Sequence, residues 1–169
     1  YMNAGAYGGQ TADIIESAEC LTAAGEIKTL KKENMQLGYR SSVFKKSGLI
    51  IISLTFALKK GDKAEIKAEM DNLLNRRKQK QPLEYPSAGS TFKRPEGYFA
   101  GALIEKNGLK GSAVGGAQVS EKHAGFVINR GGATAADVKA LIGKIQKKVF
   151  ENDGVMLEPE VIFTGRNGD

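Results

Sequence analysis

The 169-residue chain has little of what most metal and disulfide chemistry needs: it holds one cysteine, Cys20, and one histidine, His123. One thiol cannot close an internal disulfide, and one Cys with one His cannot supply a zinc set, so any metal site would have to be carboxylate-based and none is expected. Long apolar runs are also scarce. The longest, Leu49 to Leu58, is broken by Ser53 and Thr55 and is well short of the about twenty residues that cross a membrane. No membrane partner is expected. A basic start leading into an apolar stretch and a small-residue cleavage site is missing too, which makes the cytoplasm the default compartment. Neither GxGxxG nor GxxxxGK occurs, so the dinucleotide fingerprint and the phosphate loop lose their main support.

What is present suffices for a packed core: 41% of residues are hydrophobic and 26% charged, a composition that argues against disorder. The length suits one domain or one and a half. A formal charge of +6, from 25 Lys and Arg against 19 Asp and Glu, implies attraction to anions without the density of a dedicated nucleic-acid binder. Glycine is abundant, with 21 residues, nine of them clustered at 5–9, 108–116 and 131–132. Such clusters mark turns where the backbone approaches something bulky, a ligand among the candidates.

Residues 1–10 show no period. Runs from Asp13 to Leu21 and from Glu26 to Leu30 flank Ala23, Ala24 and Gly25, a hairpin pattern. Leu49 to Leu58 reads as a strand covered on both faces, central in its sheet. Asp62 opens a helix to about Arg77, with Ile66, Met70, Leu73 and Leu74 at helical spacing. Gln79 to Phe92, carrying Pro82, Pro86 and Gly89, reads as a largely irregular functional loop. A short helix through Phe99, Leu103 and Ile104 ends at Gly108. A longer one starts at Thr134 with Asp137 and buries Val138, Leu141, Ile142, Ile145 and Val149. A strand from Glu160 to Thr164 closes the chain. This alternation predicts an α+β fold over a bundle or sandwich.

Several features could carry chemistry, each with a plainer alternative. Gly108 to Gly116 could offer amides to an anion or simply form tight turns. Arg76, Arg77, Lys78 and Lys80 could meet nucleic acid or only complement a helix dipole. Tyr85, Phe92, Lys93 and Arg94 interleave aromatics with charge, as nucleic-acid surfaces do. His123 could join a triad or be a satisfied histidine, and Cys20 reads as a small buried hydrophobe. These residues alone leave open an enzyme or a non-catalytic, basic module that binds nucleotide sugars or nucleic acid.

A set of ordered segments narrows the choice. Residues 3–8 (NAGAYG), 38–45 (GYRSSVFK) and 86–95 (PSAGSTFKRP) are followed by Gly108-Leu109-Lys110-Gly111, Gly116-Ala117-Gln118-Val119-Ser120, His123, Asn129, residues 133–137 (ATAAD) and residues 157–161 (LEPEV). Taken in that order, the sequence closely resembles the UDP-N-acetylenolpyruvoylglucosamine reductase (MurB) family. The resemblance implies an FAD enzyme of bacterial peptidoglycan precursor synthesis. Such an enzyme uses NADPH to reduce UDP-N-acetylglucosamine enolpyruvate to UDP-N-acetylmuramate, with no nucleic-acid partner. It further implies that a first flavin-binding lobe and the Gly-rich half of a second precede the NAGAYG segment in the family. On this reading residues 1–60 are the C-terminal half of the second FAD-binding lobe, 61–156 an α/β-layered UDP-sugar substrate-binding domain, and 157–169 a strand carrying a catalytic glutamate. The direct join at Lys59 to Asp62 resembles the family branch without an extra tyrosine-bearing loop. The flavin site would be incomplete and the chain inactive alone.

The resemblance also implies roles. Hydride reaching the outer carbon of the enolpyruvyl group pushes negative charge onto the neighbouring carbon and its carboxylate, so a cation and a proton donor are needed there. Arg40 matches the cation, and its planar fork suits a carboxylate better than lysine does. Ser90 matches the proton donor and Glu160 the catalytic glutamate; a bare Glu160 would repel the substrate, so pairing with Arg40 or protonation is expected. Tyr7, Lys78 and His123 match substrate contacts. Arg94 stands where other members have Asn, a cation suited to the UDP diphosphate. For FAD the matching residues are Asn3, Gly5, Ala6 and Gly8.

Overall fold

In the computed structural model, which describes residues 1–165, every strand pairing among the described residues is antiparallel. The fold is α+β, as the sequence predicts. The chain forms two units, Tyr1–Leu73 and Leu74–Asp169. The last four positions of the expected 157–169 strand segment lie outside the described residues.

The first unit begins with a miniature hairpin of β1 (Gly5–Ala6) and β2 (Gly9–Gln10). The hairpin expected around Gly25 follows as β3 (Ile15–Leu21) and β4 (Ile27–Lys31), with Gly25 at φ +83° in the turn. After a 3-10 turn at Lys32–Met35 and the short α1 (Phe44–Ser47), β5 (Ile50–Phe56) returns along the free side of β3. The sheet order is β4-β3-β5. Ile15, Ala18, Cys20, Leu30, Met35 and Phe44 form the buried core. Cys20 is the expected small hydrophobe, and burial pushes its thiol pKa up.

One expectation fails here. The apolar run is an edge strand, and Ile50, Ile52, Leu54 and Phe56 are exposed. The middle place belongs to β3, which the hairpin leaves open on one side. Hydrophobicity along a strand records what it can bury and carries no information on its order in the sheet.

Helix α2 (Lys63–Lys80) starts where Asp62 Oδ1 accepts from the amides of Ala64 at 2.9 Å and Glu65 at 3.0 Å, satisfying two orphan donors. It runs to Lys80, past the expected end at Arg77, and Ile66, Met70 and Leu74 are exposed along it. The boundary between the units falls inside this helix.

The second unit carries a sheet of order β6-β9-β8-β7, built from β6 (Ser87–Ser90), β7 (Ala113–Val114), β8 (Ala117–Val119) and β9 (Phe126–Asn129). Helices α3 (Ala100–Lys106) and α4 (Ala135–Asp153) complete it, close to the sequence expectation. The capping box at α4 is reciprocal: Thr134 Oγ1 accepts from the Asp137 amide at 3.1 Å, and Asp137 Oδ2 from the Thr134 amide at 2.9 Å. These bonds hold the Asp137 carboxyl below its ordinary pKa. Leu141, Ile142, Ile145 and Val149 then face Val119, Ile104 and Leu157 in one core.

The segment 79–92 is largely irregular as expected, though it holds the end of α2 and all of β6. The closing strand at Glu160–Thr164 is replaced by an isolated bridge between Phe92 and Pro159. The Gly108 to Gly116 stretch forms turns, and Gly116 is required there: a Cβ would stand 2.4 Å from the Gly131 carbonyl oxygen.

Candidate functional site

In the first unit the sequence-nominated residues converge. Asn3, Gly5, Ala6, Tyr7, Gly8 and Arg40 all line one cleft of about 490 Å³. Four described non-glycine residues have positive φ, and three of them, Asn3 at 48°, Tyr7 at 51° and Arg40 at 49°, lie on this cleft. Such backbone costs about 1–3 kcal/mol per residue and persists where surrounding bonds over-determine it.

Those bonds are visible. Asn3 is buried, its amide donating to Gln10 Oε1 at 2.9 Å and to the Gly38 carbonyl at 3.1 Å, while its Oδ1 accepts from the Ala12 amide at 2.9 Å. Its side chain therefore ties the β1–β2 hairpin to the Gly38–Ser41 turn. That turn is closed in both directions, Gly38 amide to Ser41 carbonyl at 3.1 Å and the reverse at 3.2 Å. Arg40 sits at its tip with the guanidinium 5.1 Å from the Tyr39 ring centroid. Tyr39 also lines the cleft; it escaped the sequence reading, although its place beside Arg40 was a usable signal. The small residues at positions 5, 6 and 8 leave backbone open to close approach, so this wall fits part of a flat or phosphate-bearing cofactor such as FAD.

The second unit holds Ser90, Glu160, His123, Lys78 and Arg94. Ser90 ends β6 opposite Phe126, just after a break in register between Ser87 and Ser90 where Gly89 has φ +85°. A bulge of this kind re-aims the side chain that follows it. The next residue, Thr91, is buried and anchored: its Oγ1 accepts from the Val127 amide at 3.0 Å and its own amide donates to Gly125 at 2.8 Å.

Glu160 is drawn to the same place by backbone pairing. Its amide donates to the Thr91 carbonyl at 2.8 Å, and the Lys93 amide donates to the Glu158 carbonyl at 2.9 Å, on either side of the Phe92–Pro159 bridge. A Lys93–Glu158 ion pair supports the same pairing. Glu160 thus stands opposite Thr91, the residue that follows Ser90.

His123 lies half-buried against Phe126 at 5.0 Å between ring centroids, and its Nδ1 accepts from the Gly125 amide at 3.0 Å. In the neutral ring the proton is then on Nε2. Arg94 is stacked 4.0 Å from the Phe99 ring centroid, with Nε donating to the Tyr98 carbonyl at 3.3 Å. Phe99 and Tyr98 are further residues the sequence reading did not assign to the site. Lys78 is exposed in the last turn of α2.

Comparison with known proteins gives these positions a context. Residues 81–164 match the family described as UDP-N-acetylenolpyruvoylglucosamine reductase, C-terminal domain. The UDP-N-acetylenolpyruvoylglucosamine reductase of Clostridium perfringens (strain SM101 / Type A) is 58% identical over 167 residues, which is 99% of this chain and 55% of that protein. Its counterpart in Geobacillus kaustophilus is 54% identical over 164 residues, or 97% and 54% of the two chains. The crystal structure of UDP-N-acetylenolpyruvylglucosamine reductase (MurB) from Thermus caldophilus matches with a TM-score of 0.80 at 37% identity, over 95% of this chain and 57% of that one. The chain spans about half the length of the relatives it matches.

Proposed function

Because the chain belongs to the UDP-N-acetylenolpyruvoylglucosamine reductase family, we propose that it carries the C-terminal half of a cytoplasmic UDP-N-acetylmuramate dehydrogenase. The reaction is the NADPH-dependent, FAD-dependent reduction of UDP-N-acetylglucosamine enolpyruvate to UDP-N-acetylmuramate, a step in peptidoglycan precursor synthesis. Residues 1–60 then belong to a flavin-binding lobe, 61–156 to the substrate domain and 157–169 to the segment that brings in Glu160. The flavin site is incomplete in this half, and the chain does not turn over alone.

Asn3, Gly5, Ala6 and Gly8 would hold part of FAD, which when bound and reduced by NADPH would supply hydride for the outer carbon of the enolpyruvyl double bond. Charge then develops on the adjacent carbon and its carboxylate. Arg40 binds that carboxylate through its fork of donors, a charge-assisted pair whose strength rises as the charge grows. The Ser90 hydroxyl gives its proton to the adjacent carbon and recovers one from solvent, which completes the addition of one hydride and one proton. Serine is a weak acid in water; its competence here follows from the much stronger basicity of the carbon it protonates and from fixed position. Glu160 is the third catalytic group.

Substrate recognition falls to Tyr7, Lys78, Arg94 and His123. Lys78 suits a diphosphate as a mobile point charge, and Arg94, held by the Phe99 ring, as a fixed one. Asn3 organises the wall to which Gly5, Ala6 and Gly8 lend backbone for the flavin.

The observation that most supports this reading is the pairing of residues 158–160 with 91–93, in which Glu160 stands opposite Thr91, the residue after Ser90. A visible spectrum of the purified chain tests it together with calorimetry. The expected result is no stoichiometric flavin but measurable affinity for UDP-N-acetylglucosamine derivatives. Tight RNA or DNA binding with a steep salt slope, and none of the nucleotide sugar, would favour a basic nucleic-acid module instead.

A further inference from the structure

Strand β6 reads Ser-Ala-Gly-Ser and its side chains are mostly exposed, so it lacks the alternating apolar pattern that fixes register from within a strand. Its last residue is nevertheless the one whose direction matters for the proposed protonation. Ser87 stands opposite Ile128 and Ser90 opposite Phe126, so three steps along β6 are matched by two along β9. One extra residue is therefore held in β6, facing Val127. A slip of one residue would turn Ser90 toward the core and Thr91 out of it.

Two side-chain hydroxyls meet the backbone at this bulge. The Gly89 amide donates back to Ser87 Oγ at 3.3 Å, with Gly89 at φ +85°, the left-handed glycine that such bulges use. From the other strand, the Val127 amide donates to Thr91 Oγ1 at 3.0 Å. Val127 is buried, and a buried amide needs an acceptor. Further contacts bracket the bulge without placing the extra residue. The Asn129 amide donates to the Pro86 carbonyl at 2.9 Å before it, the Thr91 amide donates to the Gly125 carbonyl at 2.8 Å after it, and Phe92 then enters the core. Between those points the Thr91 hydroxyl meets the amide that faces the extra residue. Thr91 is 2% exposed, whereas Ser90 is on the surface, so the chain passes from solvent to core at this one step.

We propose that Thr91 is a positioning residue for the reduction: by holding the Val127 amide, its hydroxyl locks the extra residue into β6 and so fixes the direction in which the Ser90 hydroxyl leaves the sheet. The inference rests on the role given to Ser90 above. Threonine suits the task because its branched side chain is stiff at χ1, with an oxygen that accepts and a methyl that fills the core. Valine has that shape without the acceptor; serine keeps the acceptor without the methyl.

The test joins this chain to the remaining part of the Clostridium perfringens relative and follows both half-reactions by stopped flow. In Thr91→Val, flavin reduction by NADPH should be unchanged, while reoxidation by the enolpyruvyl substrate falls by about 10²-fold, the scale of a small misplacement of a reacting group. Turnover should show the same split, with kcat reduced and KM held. Thr91→Ser should recover most of the lost rate. Should Thr91→Val fail to fold, Thr91→Ala removes the acceptor without setting a methyl against the amide and is read in the same way. Unimpaired reoxidation in a folded variant without the hydroxyl overturns the inference, as does a serine variant as slow as the valine one. An equal loss in both half-reactions also overturns it, because general loosening of the fold would give that result. A readout free of catalysis uses the unsubstituted 169-residue chain: by NMR, the Val127 amide should exchange as slowly as that of Ile128, its strand neighbour, and rapid exchange at Val127 alone would overturn the inference. Ser90→Ala in the joined enzyme separates the two readings. Normal turnover there would sink the proposed chemistry, whereas an impaired Ser90→Ala beside a fully active Thr91→Val would sink the role of Thr91 alone.

Discussion

The amide of Glu160 donates to the carbonyl of Thr91 at 2.8 Å, which sets the carboxylate-bearing residue across one bridge from the neighbour of Ser90. Thr91 is itself firmly held. Its hydroxyl accepts from the buried Val127 amide at 3.0 Å. Thr91→Val keeps the shape and strands that amide, so it should destabilise the unit by about 1–3 kcal/mol in urea denaturation. Unchanged stability would mean the amide finds another acceptor.

Gly89 makes a second, separable contribution. Its φ is +85° and a Cβ there would meet nothing within 4 Å, so substitution is limited by backbone strain and not by a clash. Gly89→Ala should cost about 1–2 kcal/mol. Gly89→Asn should cost less, since Asn tolerates left-handed backbone better. Equal losses for the two, read from thermal melts, would indicate that space and not φ decides.

Acid should loosen α4 at both ends. Bonds from Thr134 lower the Asp137 pKa, and bonds from Lys106 and then Asn107 lower that of Asp153. A carboxyl with a depressed folded pKa contributes stability that is complete above its unfolded pKa, about 3.9, and is lost as pH falls through the folded value. Stability should thus decline as pH drops below about 4, and the double variant Asp137→Asn, Asp153→Asn should flatten that decline. Denaturation midpoints measured across the acid range check this; an unaltered slope in the variant would assign the acid sensitivity to other carboxylates.

Legibility in the sequence varied with how local the deciding interaction is. Helix α4 was readable because Thr134, Asp137 and the stripe from Val138 to Val149 all lie within one segment, and the β3–β4 hairpin because Gly25 marks its turn. The position of β5 was misread because strand order is set by long-range pairing with β3, on which an apolar run is silent. Strands β7, β8 and β9 went unseen because they are short and glycine-flanked, too brief for a period-two pattern to stand out. In the site, the residues were nominated by resemblance. The left-handed backbone at Arg40 and the backbone pairing of Glu160 with Thr91 came only from the structure.

The most direct measurement of the central claim is stopped-flow analysis of Ser90→Ala in a full-length enzyme that joins this chain to the remaining part of the Clostridium perfringens relative. NADPH should reduce the flavin at the unsubstituted rate, while reoxidation by the enolpyruvyl substrate should fall by about 10²–10⁴-fold, the usual contribution of a positioned proton donor. Normal steady-state turnover in the variant would contradict the account and remove Ser90 from the chemistry.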